Sequence, residues 1–201
     1  MRLLSEIIMY PVKKIDNVIL KHKLKRCGSS SSICNPLRIQ GPQNISIGNN
    51  VIINQRAWLA SLPIAGEKDA NLIFGDGCVI GDYNHIWCSH SITFEKNVLT
   101  ANHVYVSDNL HEYVNISTPI VKQPIKQLKS VVIGEGSWLG ENVCVIGACI
   151  GRHCVIGANS VVTHNIPDYC VAVGAPAYII RRYNPENETW EKTDKQGNFL
   201  E

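Results

Sequence analysis

From Ile133 the chain reads Ile133-Gly134-Glu135-Gly136-Ser137-Trp138, Leu139-Gly140-Glu141-Asn142-Val143-Cys144, Val145-Ile146-Gly147-Ala148-Cys149, Ile150-Gly151-Arg152-His153-Cys154-Val155 and Ile156-Gly157-Ala158-Asn159-Ser160-Val161. A branched aliphatic residue, usually followed by Gly, returns about every six residues. Neither a helix (period 3.6) nor a half-buried strand (period 2) produces that spacing. A parallel β-helix does: each hexad forms one short flat face, and three faces make one coil. The aliphatic side chains then stack inside a prism. Gly stands at corners where a Cβ would clash or a positive φ is required.

The pattern extends upstream. Ile47-Gly48-Asn49-Asn50-Val51-Ile52 leads to Ile53 and Leu59. Phe74-Gly75-Asp76-Gly77-Cys78-Val79 leads to Ile80, Ile86 and Ile92. Phe94 leads to Thr100 and Val106. The step from Val145 to Ile150 is one residue short, so a tighter corner is expected there.

The chain has 201 residues, 45% hydrophobic and only 7% aromatic, as suits a narrow core filled by Ile and Val. Its net charge of +2 is too small to argue for a nucleic-acid partner. No apolar run approaches the ~20 residues of a membrane span. Glu6, Lys13 and Lys14 interrupt any signal-peptide-like region. The eight cysteines contain no Cys-x-x-Cys pair. Cys78, Cys149 and Cys154 fall at or near inward positions. They read as buried, reduced thiols of a cytoplasmic protein, with no metal required.

The expected organisation has three parts. Residues 1–32 form a helical N-terminal cap and linker, with apolar residues at helical spacing interrupted at Pro11. The cap covers the open end of the first coil. Its basic residues, Lys21 to Arg26, also allow weak contact with a membrane surface. Residues 33–164 form the β-helix, broken by a loop at 62–71 and by a long protruding loop at 109–130, where a cleft can be built. Residues 165–201 close the end with a turn, a small C-terminal helix from Tyr178 to Tyr183, and a polar tail that can form a hairpin at Gln196-Gly197.

Three further motifs carry a resemblance. They are Val104-Tyr105-Val106-Ser107-Asp108-Asn109-Leu110-His111, Ile156 through Asp168, and Gly174-Ala175-Pro176-Ala177-Tyr178-Ile179-Ile180-Arg181. With the hexads they resemble the hexapeptide-repeat acyltransferases, in the branch of maltose, galactoside and polysaccharide O-acetyltransferases. The resemblance implies an all-β, left-handed parallel β-helix. It implies acetyl transfer from acetyl-CoA to a hydroxyl of a sugar or polysaccharide precursor, and a homotrimer with clefts between subunits.

By that resemblance His111 is the general base, and a histidine's pKa suits proton removal near neutrality. Its second ring nitrogen needs an acceptor, for which a backbone carbonyl, Asp108, Glu112 and Glu141 are open candidates. Gly140, Glu141 and Ala158 would line the path of coenzyme A, with Thr163 and His164 nearer its nucleotide. Arg181 would bind phosphate. His164 stands where many relatives carry Lys, and Tyr178 where some carry Arg, so Arg182 is a candidate helper. Asn84, Trp138 and Asp108 are substrate-side candidates, and amides around Trp138 to Gly140 are candidates to meet the oxyanion. No Ser or Cys nucleophile is required, so transfer is expected to be direct.

Two rivals use the same coils. A zinc-dependent carbonic anhydrase-like protein would recruit among His85, His90, His103 and His111. A non-catalytic scaffold would use only the rigid surface.

Overall fold

The computed structural model describes residues 18–200, and the expected break of the N-terminal helix at Pro11 lies outside them. The coils are there as the hexads require. Face A is a five-stranded sheet of Arg26–Cys27, Ile45–Ile47, Asn71–Phe74, Ser91–Phe94 and Val131–Ile133, continued by single bridges at Ile150 and Ile166. Face B begins with Ser32–Ile33, Ile52–Ile53, Val79–Ile80, Leu99–Thr100, Trp138–Leu139, Val155–Ile156 and Cys170–Val173. Face C is six-stranded: Arg38–Gln40, Trp58–Ser61, His85–Cys88, Tyr105–Ser107, Cys144–Ile146 and Val161–Val162. Every pairing among these strands is parallel and in register, such as Ile92↔Leu72 and Ile92↔Val131. The chain therefore visits A, B and C in turn and drops one coil.

The interior follows from that winding. Ile47, Phe74, Phe94, Ile133, Ile150 and Ile166 stack under face A, and Ile53, Ile80, Leu139 and Ile156 under face B. All are 2% exposed or less. At roughly 1.5–3 kcal/mol per fully buried large aliphatic side chain, this continuous core is the main stabilising term. The Phe74 and Phe94 rings stack with centroids 5.0 Å apart.

Corners are held by two devices. Gly allows close approach between coils: a Cβ on Gly75 would stand 2.7 Å from the Glu95 carbonyl carbon. Gly75→Ala is therefore expected to lower stability by about 1–3 kcal/mol, read as a fall in the denaturant midpoint. The second device is a side-chain oxygen of one coil accepting a backbone N–H from the coil before it. Gln55 N donates to Asp82 at 2.7 Å, Asp82 N to Asn102 at 2.8 Å, and Asn102 N to Glu141 at 3.1 Å. The short step after Val145 is closed by Gly147 at φ +58°.

The structure corrects two boundaries and one element. Parallel pairing begins at Arg26, inside the expected cap and linker, because Arg26 and Cys27 already align with Ser46 and Ile47. The prism continues past 164, since Ile166 bridges Ile150 and Cys170–Val173 pairs with Val155–Ile156. The expected C-terminal helix is the strand Tyr178–Asn184, which turns back antiparallel on Cys170–Val173 and pairs with Thr189–Lys192. A last coil leaves an edge of unpaired backbone groups, and an antiparallel strand satisfies them where a helix would not. The tail does turn at Asp194–Gly197, closed by a bridge between Thr193 and Phe199.

At the other end the described helix is Val18–Lys23. Leu20 and Leu24 pack against the core, and Lys25 N donates to Ile45 O at 3.0 Å. No helix among the described residues is long and apolar enough to cross a membrane.

Candidate active site

The long loop leaves after Ser107, at the edge between faces C and A, and returns at Val131. It is a hairpin: Asn109–His111 pairs antiparallel with Ile125–Gln127, and His111 stands opposite Ile125. Asp108 roots it. This carboxylate is fully buried. Its oxygens accept N–H bonds from Ser89 (2.7 Å), His90 (2.8 Å) and Ser91 (2.8 Å), the Ser89 hydroxyl (3.0 Å) and the Asn109 amide (2.9 Å). Gln127 closes the root by donating to Asp108 O at 2.8 Å and accepting from Ser89 Oγ at 2.7 Å. Burial alone would raise the Asp108 pKa. The donors outweigh it, with the Ser89 N–H the strongest, and hold it below the usual carboxylate value.

Asp108 is thus filled by corner donors, and it offers substrate nothing. Its role is to fix the strand that carries His111, whose side chain is exposed. Asn84 is likewise internal: its amide donates to Thr100 Oγ1 and its oxygen accepts Val104 N at 2.6 Å.

The carboxylates considered for orienting His111 are each committed elsewhere. Glu112 pairs with Lys126 at 3.7 Å. Glu141 meets His103 Nδ1 at 3.1 Å, a bond that, with the Asn102 N–H, holds its pKa down. A backbone carbonyl or a group from a second copy is what remains for His111. The His103–Glu141 pair escaped the sequence reading. His103 also stacks on Tyr83, centroids 5.2 Å apart. The one available signal was spacing: both residues follow a B-face strand by the same corner.

The expected coenzyme residues do not gather on one edge of a single chain. Gly140, Glu141 and Ala158 lie where face B turns into face C. Thr163 and His164, both exposed, lie where C turns into A, the edge that bears the hairpin. Arg181 lies on the returning strand opposite Val171 and donates to Trp190 O at 3.3 Å. Arg182 cannot assist it, because successive side chains of a strand point to opposite sides. Trp138 is 46% exposed on face B, between Leu99 and Val155. The Trp138 and Gly140 amides each donate at 2.8 Å to the next coil, to Cys154 O and Ile156 O, so neither is free for an oxyanion.

Buried thiols are poor nucleophiles here. Burial pushes Cys78 up to about 11 and, with the Asp108 charge added, Cys88 up to about 12. The histidines of the zinc reading are dispersed: His85 stacks on Trp58 with centroids 4.2 Å apart, and His103 is paired with Glu141.

Comparison with known proteins adds a set of likenesses. The family described as bacterial transferase hexapeptide (six repeats) matches residues 130–164. Over those residues the chain is similar to the hexapeptide-repeat transferases. It is 41% identical over 128 residues to the Escherichia coli protein named "Putative lipopolysaccharide biosynthesis O-acetyl transferase WbbJ", covering 60% of this chain and 65% of that one. It is 28% identical over 137 residues to the galactoside O-acetyltransferase of the same organism, covering 68% and 66%. The chain spans less than two thirds of the length of each of these relatives. Among solved structures, a mutant of AntD, an N-acyltransferase from Bacillus cereus, in complex with dTDP and coenzyme A, superposes with a TM-score of 0.72 at 19% identity. That match covers 89% of this chain and 94% of AntD and is a likeness of fold. This chain thus shares the coil architecture of that structure.

Proposed function

We propose that this protein is an O-acetyltransferase that moves the acetyl group of acetyl-CoA onto a sugar hydroxyl, with His111 as general base. One observation carries the reading: an exposed histidine on a hairpin clamped to the coils by a buried carboxylate. The relatives named for O-acetyl transfer to galactosides and in lipopolysaccharide biosynthesis support the choice of acceptor. AntD binding coenzyme A supports the choice of donor. A ring nitrogen of His111 takes the hydroxyl proton as the oxygen attacks the thioester carbonyl. The C–O bond forms, the C–S bond breaks, and the departing thiolate receives the proton. No acyl-enzyme is needed, in keeping with the raised thiol pKa values. Acetyl-CoA is a co-substrate and no metal takes part.

The assembly belongs to the same proposal. Gly140, Glu141 and Ala158 sit on one edge of face C, and His111, Thr163 and His164 on the other. A cleft holding all six forms when the B–C edge of one left-handed prism meets the C–A edge of a second copy in a homotrimer. Face C suits this contact. Trp58, His85, Trp87 and Tyr105 interlock on its outer side, and His85 Nε2 is buried there with no partner among the described residues. The hairpin tip is also apolar and bare: Ile116 is 98% exposed and Val121 84%. The N-terminal segment is taken as the cap of the prism, and the protein as cytoplasmic.

The test is release of coenzyme A thiol from acetyl-CoA across a panel of monosaccharides, disaccharides and nucleotide sugars. At least one sugar should raise release well above hydrolysis and gain one acetyl by mass. No sugar doing so would end the reading.

A further inference from the structure

A second cleft of about 800 Å³ lies away from the hairpin, at the A–B edge of the last coils. His153, Tyr169, Arg182, Tyr183, Glu186 and Trp190 form most of its lining. The rings run on continuously. His153 and Tyr169 lie parallel with centroids 5.8 Å apart, Tyr183 tilts against Tyr169 at 6.3 Å, and Trp190 meets Tyr183 edge-on at 5.7 Å.

The corner beneath this wall is occupied against its own preference. The same A–B corner recurs down the prism at Ser30, Asn50, Gly77, Asn97, Gly136, His153 and Tyr169, all at positive φ between 48° and 75°. Upper coils place Ser, Asn or Gly there, and Asn and Gly are the residues this conformation favours. Only the last two coils place aromatic rings, where the returning strand passes. Gly136 makes room for them, since a Cβ there would stand 2.8 Å from the His153 ring. Packing covers these rings only in part: Arg152 lies over Tyr169 at 5.7 Å, yet Tyr169 and Trp190 remain 37% and 39% exposed.

We infer that this cleft is a second binding site, separate from the acetyl-transfer site, for a neutral oligosaccharide. The choice of carbohydrate rests on the sugar-acceptor reading above and on the shape and chemistry of the wall. Exposed aromatic faces suit the apolar faces of sugar rings. The rim offers the Arg182 guanidinium as donor and the Glu186 carboxylate as acceptor, the pair that hydroxyls need. Their opposite charges give a phosphorylated ligand no net attraction. The parallel rings are already at contact spacing, so no flat group inserts between them, and a nucleotide is the competing ligand that the titration with UMP tests. The volume is ample for several sugar units.

The full-length protein is titrated calorimetrically with maltopentaose, cellopentaose, galactotetraose and mannopentaose, and with UMP. At least one oligosaccharide should bind at micromolar to millimolar concentration and UMP should not. Trp190→Ala and Tyr169→Asn should each weaken that binding by about tenfold or more. Tyr169→Asn installs the residue used at Asn50 and Asn97, so its thermal midpoint should not fall, and transfer of acetyl to a monosaccharide should stay unchanged in both variants. Binding of UMP alone, of no oligosaccharide, or of an oligosaccharide equally by wild type and both variants overturns the inference. Oligosaccharide binding without acetylation of any sugar leaves the cleft standing and removes the transfer reading. Acetylation without such binding does the reverse.

Discussion

His111→Ala lowers the rate of acetyl transfer by about 10²–10⁴-fold, the range for loss of a positioned general base. Coenzyme A affinity changes little, because none of the residues expected to hold it depends on the hairpin strand. The measurement is steady-state turnover with the best acceptor, beside direct titration of coenzyme A. His103→Ala is the decisive companion. His103 has what a base wants, a carboxylate partner at 3.1 Å, but it stands on the B–C edge, away from the hairpin. If His103→Ala abolishes turnover and His111→Ala spares it, the base has been misassigned. If both lose turnover to the same extent, the two edges act on one acceptor and His103 gains a place in the chemistry.

Asp108→Ala costs about 3–5 kcal/mol of stability, as expected when a buried, multiply bonded charge is removed and its partners are stranded. Three backbone N–H groups at Ser89, His90 and Ser91 lose their acceptor together. The loss depends on pH in a definite sense. The folded-state pKa of Asp108 lies below its unfolded value of about 3.9. Its contribution is therefore fully present above that value and disappears as pH falls through the lower folded pKa. Denaturation midpoints of wild type and variant should differ most at neutral pH and converge below about pH 4. A constant gap down to the most acidic condition would show that Asp108 acts by shape alone. Turnover should fall as well, since the root of the hairpin loosens even where the fold survives.

These residues show what the sequence makes readable. The hexads alone give the three faces, the inward ladders and both breaks in the winding, because a residue's place in a coil depends on its local phase. The expected helix at Tyr178–Tyr183 failed for the opposite reason. Tyr-Ile-Ile-Arg-Arg-Tyr is too short for periodicity to separate helix from strand, and the partner that decides, Cys170–Val173, is named nowhere in those six residues. Asp108 was visible as a motif residue, but its direction was not. A carboxylate just past the inward Val106 can face substrate or the corner before it, and only the positions of the Ser89 to Ser91 amides choose. Likewise the motif singles out His111 as a candidate, but the commitments of Glu112 to Lys126 and Glu141 to His103 could not be read from it. The aromatic wall was hidden most completely, since it joins two corner residues to a strand that doubles back.

The hairpin has one more consequence. Val131 resumes face A directly beneath Ile92, with no slip between the coil left behind and the coil re-entered. The excursion hangs from the prism like a drawer from a cabinet, and beyond its root at Asp108 and Gln127 its length and content place little demand on the frame. A scaffold of this kind can accept a different excursion at the same place, provided the replacement keeps the Asp108 latch.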